Sequence, residues 1–193
     1  MKKIFVKMGD IFEGPADLIV LPCSARGTIR KSLRKTAEKY DFPTPEELHL
    51  NLQHGDISAV YPFPDRTISK FFVYAASVYF DESSIEILET IGRKLGILTT
   101  IKSEIVHIET VLLGTGAGGV STEVAGRALS KGFCATSKDN ATLVICVQDA
   151  ERLERLKQVI SSSFLSRLWD SLILKLSFFG FGIDLKKFFG RKT

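Results

Sequence analysis

One stretch decides the fold expected of this chain: Leu112-Leu113-Gly114-Thr115-Gly116-Ala117-Gly118-Gly119-Val120-Ser121. The apolar run 105–113 leads into it, and a segment rich in small residues follows it. A strand, a glycine loop and a helix start in this order are typical of phosphate-binding sites. Glycines let backbone N–H groups approach an anion, and the helix N-terminus adds unpaired donors and a favourable dipole. The stretch therefore predicts a loop that holds a pyrophosphate group.

Apolar runs typical of buried strands alternate along the chain with amphipathic segments. Strands are predicted at 4–7, 16–22, 71–78, 105–113 and 143–147, and helices at 28–40, 85–98, 121–130 and from 149 onward. Thr28, Ser83-Ser84 and Ser121 are the predicted helix caps. Segment 46–66 is ambiguous, and its prolines exclude a central strand at 61–64. The alternation predicts an α/β fold, a three-layer α/β/α domain with a mixed, mostly parallel sheet.

The composition is that of a folded domain: 193 residues, 45% apolar and 25% charged. The apolar run at the N-terminus is too short for a signal peptide. Cys23, Cys134 and Cys146 are widely spaced without a CxxC motif, which favours reduced thiols in a cytoplasm over disulfides. The three histidines lie apart from the cysteines, so the sequence predicts neither a metal site nor a resident cofactor.

The net charge of +4 is spread unevenly along the chain. Residues 151–193 hold nine Lys or Arg and four Asp or Glu, whereas residues 1–150 hold seventeen and eighteen and are nearly neutral. A domain that binds nucleic acid needs a basic face. The charge distribution therefore argues against nucleic acid as a partner.

Gly114, Gly116 and Gly119 also satisfy the G-x-G-x-x-G pattern of dinucleotide-binding oxidoreductases. However, the pattern comes late in the chain, and only one good strand follows it where that fold needs two more. It would also leave the strand 16–22 without a role. A nicotinamide oxidoreductase and a purely structural loop are both less favoured alternatives, and a Walker A loop is excluded because no Lys-Ser or Lys-Thr pair follows.

Three segments, in the right order, resemble the macrodomain family. Gly9-Asp10-Ile11 followed by the run 16–22 looks like its opening, 112–121 is similar to its second phosphate-binding loop, and 143–149 resembles its last strand. The resemblance covers roughly residues 3–160, with the second loop as its most specific part. It implies the macrodomain fold over residues 1–162 and ADP-ribose, or a nucleotide containing it, as the ligand.

The resemblance also implies a set of ligand-binding residues. The Asp10 carboxylate would accept a hydrogen bond from the adenine amino group, and the Ile11 N–H would bind a ring nitrogen. Either Gln148 or Asp149 would lie near the adenosine. The loop that wraps the diphosphate and the far ribose would consist of Gly114, Thr115, Gly116, Ala117, Gly118, Gly119 and Val120. Cys23, Ser24 and Ala25 would also contact the ligand.

The first loop, residues 22–28, departs from the family. The family has Asn-Ala-Ala-Asn and a glycine triplet there, and its ADP-ribosyl hydrolases use the second asparagine and the glycines to position the distal ribose and a water. This chain has Pro-Cys-Ser-Ala-Arg-Gly-Thr. The implied function is a binding module, a sensor or reader of ADP-ribose or an NAD-derived conjugate, without efficient hydrolysis and with no catalytic residue assigned. The alternative is an ADP-ribosyl hydrolase, and a role in bacterial signalling or defence is an expectation by analogy.

Several other residues are weaker candidates. His54 and Asp56 are candidate bases, Cys23 with Ser24 is a candidate nucleophile although packing is the more usual role of such a cysteine, and Arg26 is either a phosphate donor or solvated. The aromatic residues Tyr74, Tyr79 and Phe80 end a strand and are predicted either to stack on a base or to fill the core.

The tail 163–193 is apolar at helical spacing and ends in basic residues. Its spaced apolar positions begin at Phe164 and continue through Leu165, Leu168, Trp169, Leu172, Ile173 and Leu176. Interrupting charges argue against a membrane span. Three interpretations of this helical, amphipathic tail stay open: an interfacial membrane helix, a surface for a homo-oligomer or another partner, or a helix folded over the domain. The expected location is cytoplasmic, and peripheral to a membrane under the first interpretation.

Overall fold

The structure is a computed structural model that describes residues 3–160. Its strands are β1 (Lys3–Met8), β2 (Ala16–Ser24), β3 (Tyr61–Pro62), β4 (Ser69–Val78), β5 (His107–Val111) and β6 (Thr142–Val147). Its helices are α1 (Lys31–Tyr40), α2 (Ile85–Ile101), α3 (Thr122–Thr136) and α4, which begins at 150 and continues through 160, with a 3-10 turn at Ile11–Glu13. The boundary at 162 and the tail 163–193 lie outside the described residues.

The six strands form one sheet in the order β1-β6-β5-β2-β4-β3. Every neighbouring pair is parallel except β3 with β4, so the predicted mixed, mostly parallel sheet is confirmed. The carboxyl ends of the five parallel strands therefore meet at one edge of the sheet. The loops that follow these ends are the Asp10 turn (residues 9–13), the first loop, the segment 79–84, the glycine loop (residues 114–120) and residues 148–149.

Strand β2 is the centre of the core and separates its two layers. Leu18 and Val20 pack with α2 and α3, whereas Ile19 and Leu21 pack on the opposite face, the face of α1. All four side chains are fully buried. An uninterrupted apolar run is what a strand with helices on both faces requires, so the predicted three-layer architecture is confirmed.

Two of the three predicted helix caps are confirmed. Ser84 accepts a hydrogen bond from the Ile87 N–H at the start of α2, and Ser121 accepts one from the Val124 N–H at the start of α3. The prediction for Thr28 was wrong, because α1 begins only at Lys31 and the Thr28 hydroxyl lies 2.7 Å from the Ser24 hydroxyl inside the first loop. Within residues 3–160, no helix is long and apolar enough to cross a membrane.

Candidate functional site

A cavity of about 560 Å³, the main cavity, opens at the carboxyl edge of the sheet. The Asp10 turn, the first loop, the start of α1, the end of β4, the glycine loop and the residues after β6 all line it. Crevices outside the carboxyl ends of parallel strands are where α/β folds bind ligands, and the volume is in the usual range for small-molecule sites. The loops singled out in the sequence therefore meet around one cavity.

The glycine loop has a backbone conformation set by two residues with positive φ and by two internal hydrogen bonds. Gly114 and Gly119 have φ of +74° and +67°, which side-chain-bearing residues rarely adopt. Hydrogen bonds from the Gly119 N–H to Gly116 O and from the Val120 N–H to Gly114 O close the loop at 3.3 and 3.1 Å. No described residue accepts a hydrogen bond from the N–H groups of 115–118, and those of 115–117, whose residues line the main cavity, suit an anion.

The predicted residues of the glycine loop do not all reach the main cavity. Gly114, Thr115, Gly116 and Ala117 line it. Gly118 is buried beneath the loop, where a Cβ atom would come within 2.6 Å of Gly114 O. Gly119 is exposed, and Val120 lines a second cavity of about 410 Å³ on the α4 side.

The Asp10 turn forms the opposite end of the main cavity. The Gly9 N–H donates to Val147 O at 3.0 Å and ties the turn to the end of β6. The Asp10 carboxylate accepts from the Phe12 N–H at 3.2 Å, and both Asp10 and the buried Ile11 line the cavity. Because Asp10 is exposed, it remains accessible to a ligand while it caps the 3-10 turn.

The structure separates the two candidates that follow β6. Gln148 lines the main cavity. Asp149 lies in the second cavity, and its carboxylate accepts from the Arg152 N–H at 2.8 Å at the start of α4. Gln148 is therefore the residue of this pair that is placed to contact a ligand in the main cavity.

Four backbone N–H groups of the first loop donate within the loop or to β4. The N–H groups of Ser24, Ala25 and Gly27 donate to Thr28 O, Val78 O and Ser24 O, at 2.9, 2.8 and 3.0 Å respectively. The Thr28 N–H donates to the Ser24 hydroxyl at 3.1 Å. Cys23 and Ser24 line the main cavity, but Ala25 does not, so the predicted contribution of Ala25 receives no support from the geometry.

Sequence reasoning missed two arginines that line the main cavity, Arg30 and Arg152. The Arg30 guanidinium lies over Gly116, where a Cβ atom would be only 2.1 Å from Nη2. The available signal was the charge pattern at the start of α1, where Lys31, Arg34 and Lys35 follow Arg30 without an acidic residue in the first turn. Cations at a helix N-terminus oppose the helix dipole, and such local conflicts are typical of functional sites.

Neither a protein-family model nor a curated protein sequence matches the chain. Solved structures do. An Oceanobacillus iheyensis macrodomain with ADP has a TM-score of 0.69 at 12% identity over 83% of this chain and 91% of its own. A Trypanosoma brucei macrodomain in complex with ADP-ribose has a TM-score of 0.62 at 15% identity over 81% and 68%. The macrodomain of Mycobacterium tuberculosis DarG has a TM-score of 0.60 at 16% identity over 76% and 98%. This chain has the macrodomain fold.

Several of the weaker candidate residues do not line the main cavity. Tyr74 is fully buried and its hydroxyl donates to Pro43 O at 3.0 Å, so it belongs to the core and cannot stack on a base in the main cavity. The candidate base Asp56 pairs with Lys94 at a distance from the cavity lining, and the His54 ring packs near the Tyr79 ring at 6.1 Å.

Arg26 is held away from the cavity by an aromatic ring. Its guanidinium lies 4.0 Å from the ring centre of Phe80, a cation–π contact, and neither residue lines the main cavity. Phe80 and Asp81 are consecutive residues with φ of +48° and +59°, a conformation unusual for side chains of this size. This turn brings the Asp81 side chain, which the sequence did not single out, to the cavity lining.

Cys23 and Cys146 line the main cavity as protonated thiols. Burial raises the pKa of Cys23 to about 12. Burial and the neighbouring Glu109 carboxylate raise the pKa of Cys146 to about 12. Since the thiolate is the nucleophile, a cysteine nucleophile receives no support here. Among residues 3–160, no three His, Cys, Asp or Glu side chains are arranged to hold a metal ion.

The two thiols are therefore expected to resist alkylation. At pH 8 a thiol of pKa about 12 is ionised only to about one part in 10,000, and an exposed thiol to roughly a quarter. In a Cys134→Ser variant, iodoacetamide should modify Cys23 and Cys146 about a thousandfold more slowly than glutathione, measured by intact mass. The urea-unfolded variant is the control and should react fully. Fast modification of folded Cys23 would contradict its burial and reopen its role as a nucleophile.

Proposed function

We propose that this chain binds ADP-ribose, or a conjugate of it, in the main cavity. One observation carries the proposal: the Asp10 turn lies at the same cavity as three residues of the glycine loop, 115–117, whose N–H groups have no acceptor among the described residues. The N–H groups of the glycine loop suit a diphosphate, and the Asp10 carboxylate suits an adenine amino group. Structures of similar fold are described with ADP and with ADP-ribose, which supports this class of ligand.

The first loop favours recognition over bond cleavage. Its N–H groups at 24, 25, 27 and 28 are already hydrogen-bonded inside the protein, so they are not available to orient a distal ribose or a water. The two cysteines at the cavity are held as thiols by their raised pKa values. A protein that binds without efficient turnover is the function that this arrangement supports best.

Binding is tested by calorimetric titration of the full chain with ADP-ribose, ADP, AMP and adenosine. We expect one site for ADP-ribose with a dissociation constant well below millimolar, and about tenfold weaker binding in Asp10→Ala, because one hydrogen bond to a charged group is lost. Asp139→Ala removes an exposed carboxylate just before β6, away from the cavity lining, and is the matched control. The proposal fails if no adenine nucleotide binds below about 1 mM.

One observation favours hydrolysis of an ADP-ribosyl linkage as the second candidate. The exposed Asp81 lines the main cavity and offers a carboxylate that could act as a general base. Incubation with an ADP-ribosylated protein should show no more ADP-ribose release than the buffer control. Release with many turnovers, abolished in Asp81→Asn but retained in Asp139→Asn, would instead establish the hydrolase.

A further inference from the structure

The two walls of the main cavity differ in the donors that they offer. The glycine loop brings the unengaged N–H groups of 115–117 to the cavity lining, but the first loop has used its own N–H groups at 24, 25, 27 and 28. The first loop therefore offers few backbone donors to a diphosphate held on the glycine loop. Any charged donor on that wall has to come from a side chain.

Arg30 is the cation that lies on this side of the glycine loop. A Cβ atom on Gly116 would be 2.1 Å from Nη2 and 3.1 Å from Nη1, so the guanidinium lies directly against the glycine loop. No ion pair of the described residues involves Arg30, whereas Arg34, one turn later on α1, pairs with Glu46 at 2.5 Å. Among the described residues, the charge of Arg30 therefore has no ion-pair partner, and it lies beside the unengaged N–H groups of 115–117.

We infer that Arg30 is the phosphate-binding side chain of this site, and that its guanidinium closes over a diphosphate held on the glycine loop. This inference rests on the proposed function of the main cavity. A guanidinium presents parallel N–H donors that match two phosphate oxygens, and it carries the positive charge that backbone donors lack. The site then holds the diphosphate between a charged side chain and a fixed backbone cradle, and it selects ligands with two phosphates over ligands with one or none.

A second observation is a buried hydroxyl group in the same cavity, unpaired among the described residues. The Ser77 hydroxyl oxygen is buried, with the residue 1% exposed, and no described residue is its hydrogen-bond partner. Ser77 lines the main cavity beside the end of β4. Buried hydroxyl groups are normally paired, so a polar ligand group in this cavity would complete its hydrogen bonding.

The test compares the full-length protein with Arg30→Ala, Arg30→Lys and Arg34→Ala by calorimetry. Arg30→Ala is expected to weaken ADP-ribose and ADP about 10- to 100-fold, the range for hydrogen bonds to a charged group, and to leave adenosine unchanged. Arg30→Lys keeps the positive charge without the planar guanidinium, so its affinity for ADP-ribose should lie between those of the wild type and Arg30→Ala. Arg34→Ala should leave the affinity for both ADP-ribose and ADP unchanged, because Arg34 does not line the cavity. A cooperative thermal unfolding transition in each variant is the control for correct folding.

Inorganic pyrophosphate separates this inference from the proposed function. Loss of pyrophosphate binding in Arg30→Ala supports the role of Arg30 even if ADP-ribose fails to bind the wild-type protein. The inference is overturned if Arg30→Ala binds ADP-ribose within twofold of wild type, if Arg34→Ala weakens binding equally, or if the wild-type protein binds neither ADP-ribose nor pyrophosphate.

Discussion

Replacement of Gly118 by alanine is expected to reduce ADP-ribose affinity at least 100-fold. The new Cβ atom would lie 2.6 Å from Gly114 O and 2.7 Å from Ser83 Cβ. Real Cβ atoms do not make such short contacts, and a backbone carbonyl cannot move aside without moving the loop. The placement of the N–H groups of 115–117 at the cavity would be lost, and a loss of about 3 kcal/mol in binding corresponds to a factor above 100. Calorimetry with ADP-ribose measures the effect.

Gly119→Ala is the matched comparison within the same loop. No heavy atom lies within 4 Å of its Cβ position, so its cost comes only from the positive φ of 67°. That conformation costs a non-glycine residue about 1–2 kcal/mol, which predicts a smaller loss of affinity. Because Gly118 is buried and Gly119 is exposed, Gly118→Ala should also lower the melting temperature more than Gly119→Ala does. Equal affinity of Gly118→Ala and wild type would contradict the conformation described for the loop.

The sequence was informative where one local pattern is enough to determine a structure. The run 16–22 predicted a strand buried on both faces, and β2 is that strand. The serines at 84 and 121 predicted helix starts because capping depends on residues three positions apart. The glycine loop was found for the same reason, because its spacing reports the backbone conformation directly.

The site residues that sequence reasoning missed depend on contacts between distant parts of the chain. Arg30 and Gly116 are far apart in sequence, and their contact follows only from the fold, which brings the start of α1 to the glycine loop. The sequence left two roles open for Tyr74, because an aromatic residue in this part of a strand can either pack in the core or stack on a ligand base. Its position opposite Leu21 in the register of β2 and β4 decides for the core.

The close contact of α2 and α3 is another feature that no local pattern revealed, and Gly132→Ala is expected to destabilise the protein through it. A Cβ atom on Gly132 would lie 2.0 Å from Glu89 O and 2.8 Å from the Arg93 N atom, both backbone atoms of α2. The helices would have to separate, at a cost of about 3 kcal/mol for an overpacked core. Alanine favours a helix over glycine by about 1 kcal/mol, so steric overlap outweighs propensity. The net loss is about 2 kcal/mol, or roughly 4–8 °C in melting temperature.

Gly126→Ala separates steric overlap from helix propensity on the same helix. Its Cβ atom would meet the end of the Leu156 side chain at 2.2 Å, and a side-chain terminus can rotate away more easily than backbone can. Its melting temperature should therefore fall less than that of Gly132→Ala. A rise in melting temperature for Gly132→Ala would show that propensity dominates and that the helices are not in backbone contact. Because α3 begins directly after the glycine loop, a displacement of α3 in Gly132→Ala should also weaken ADP-ribose binding. The packing of α3 on α2 would then contribute to the geometry of the main cavity.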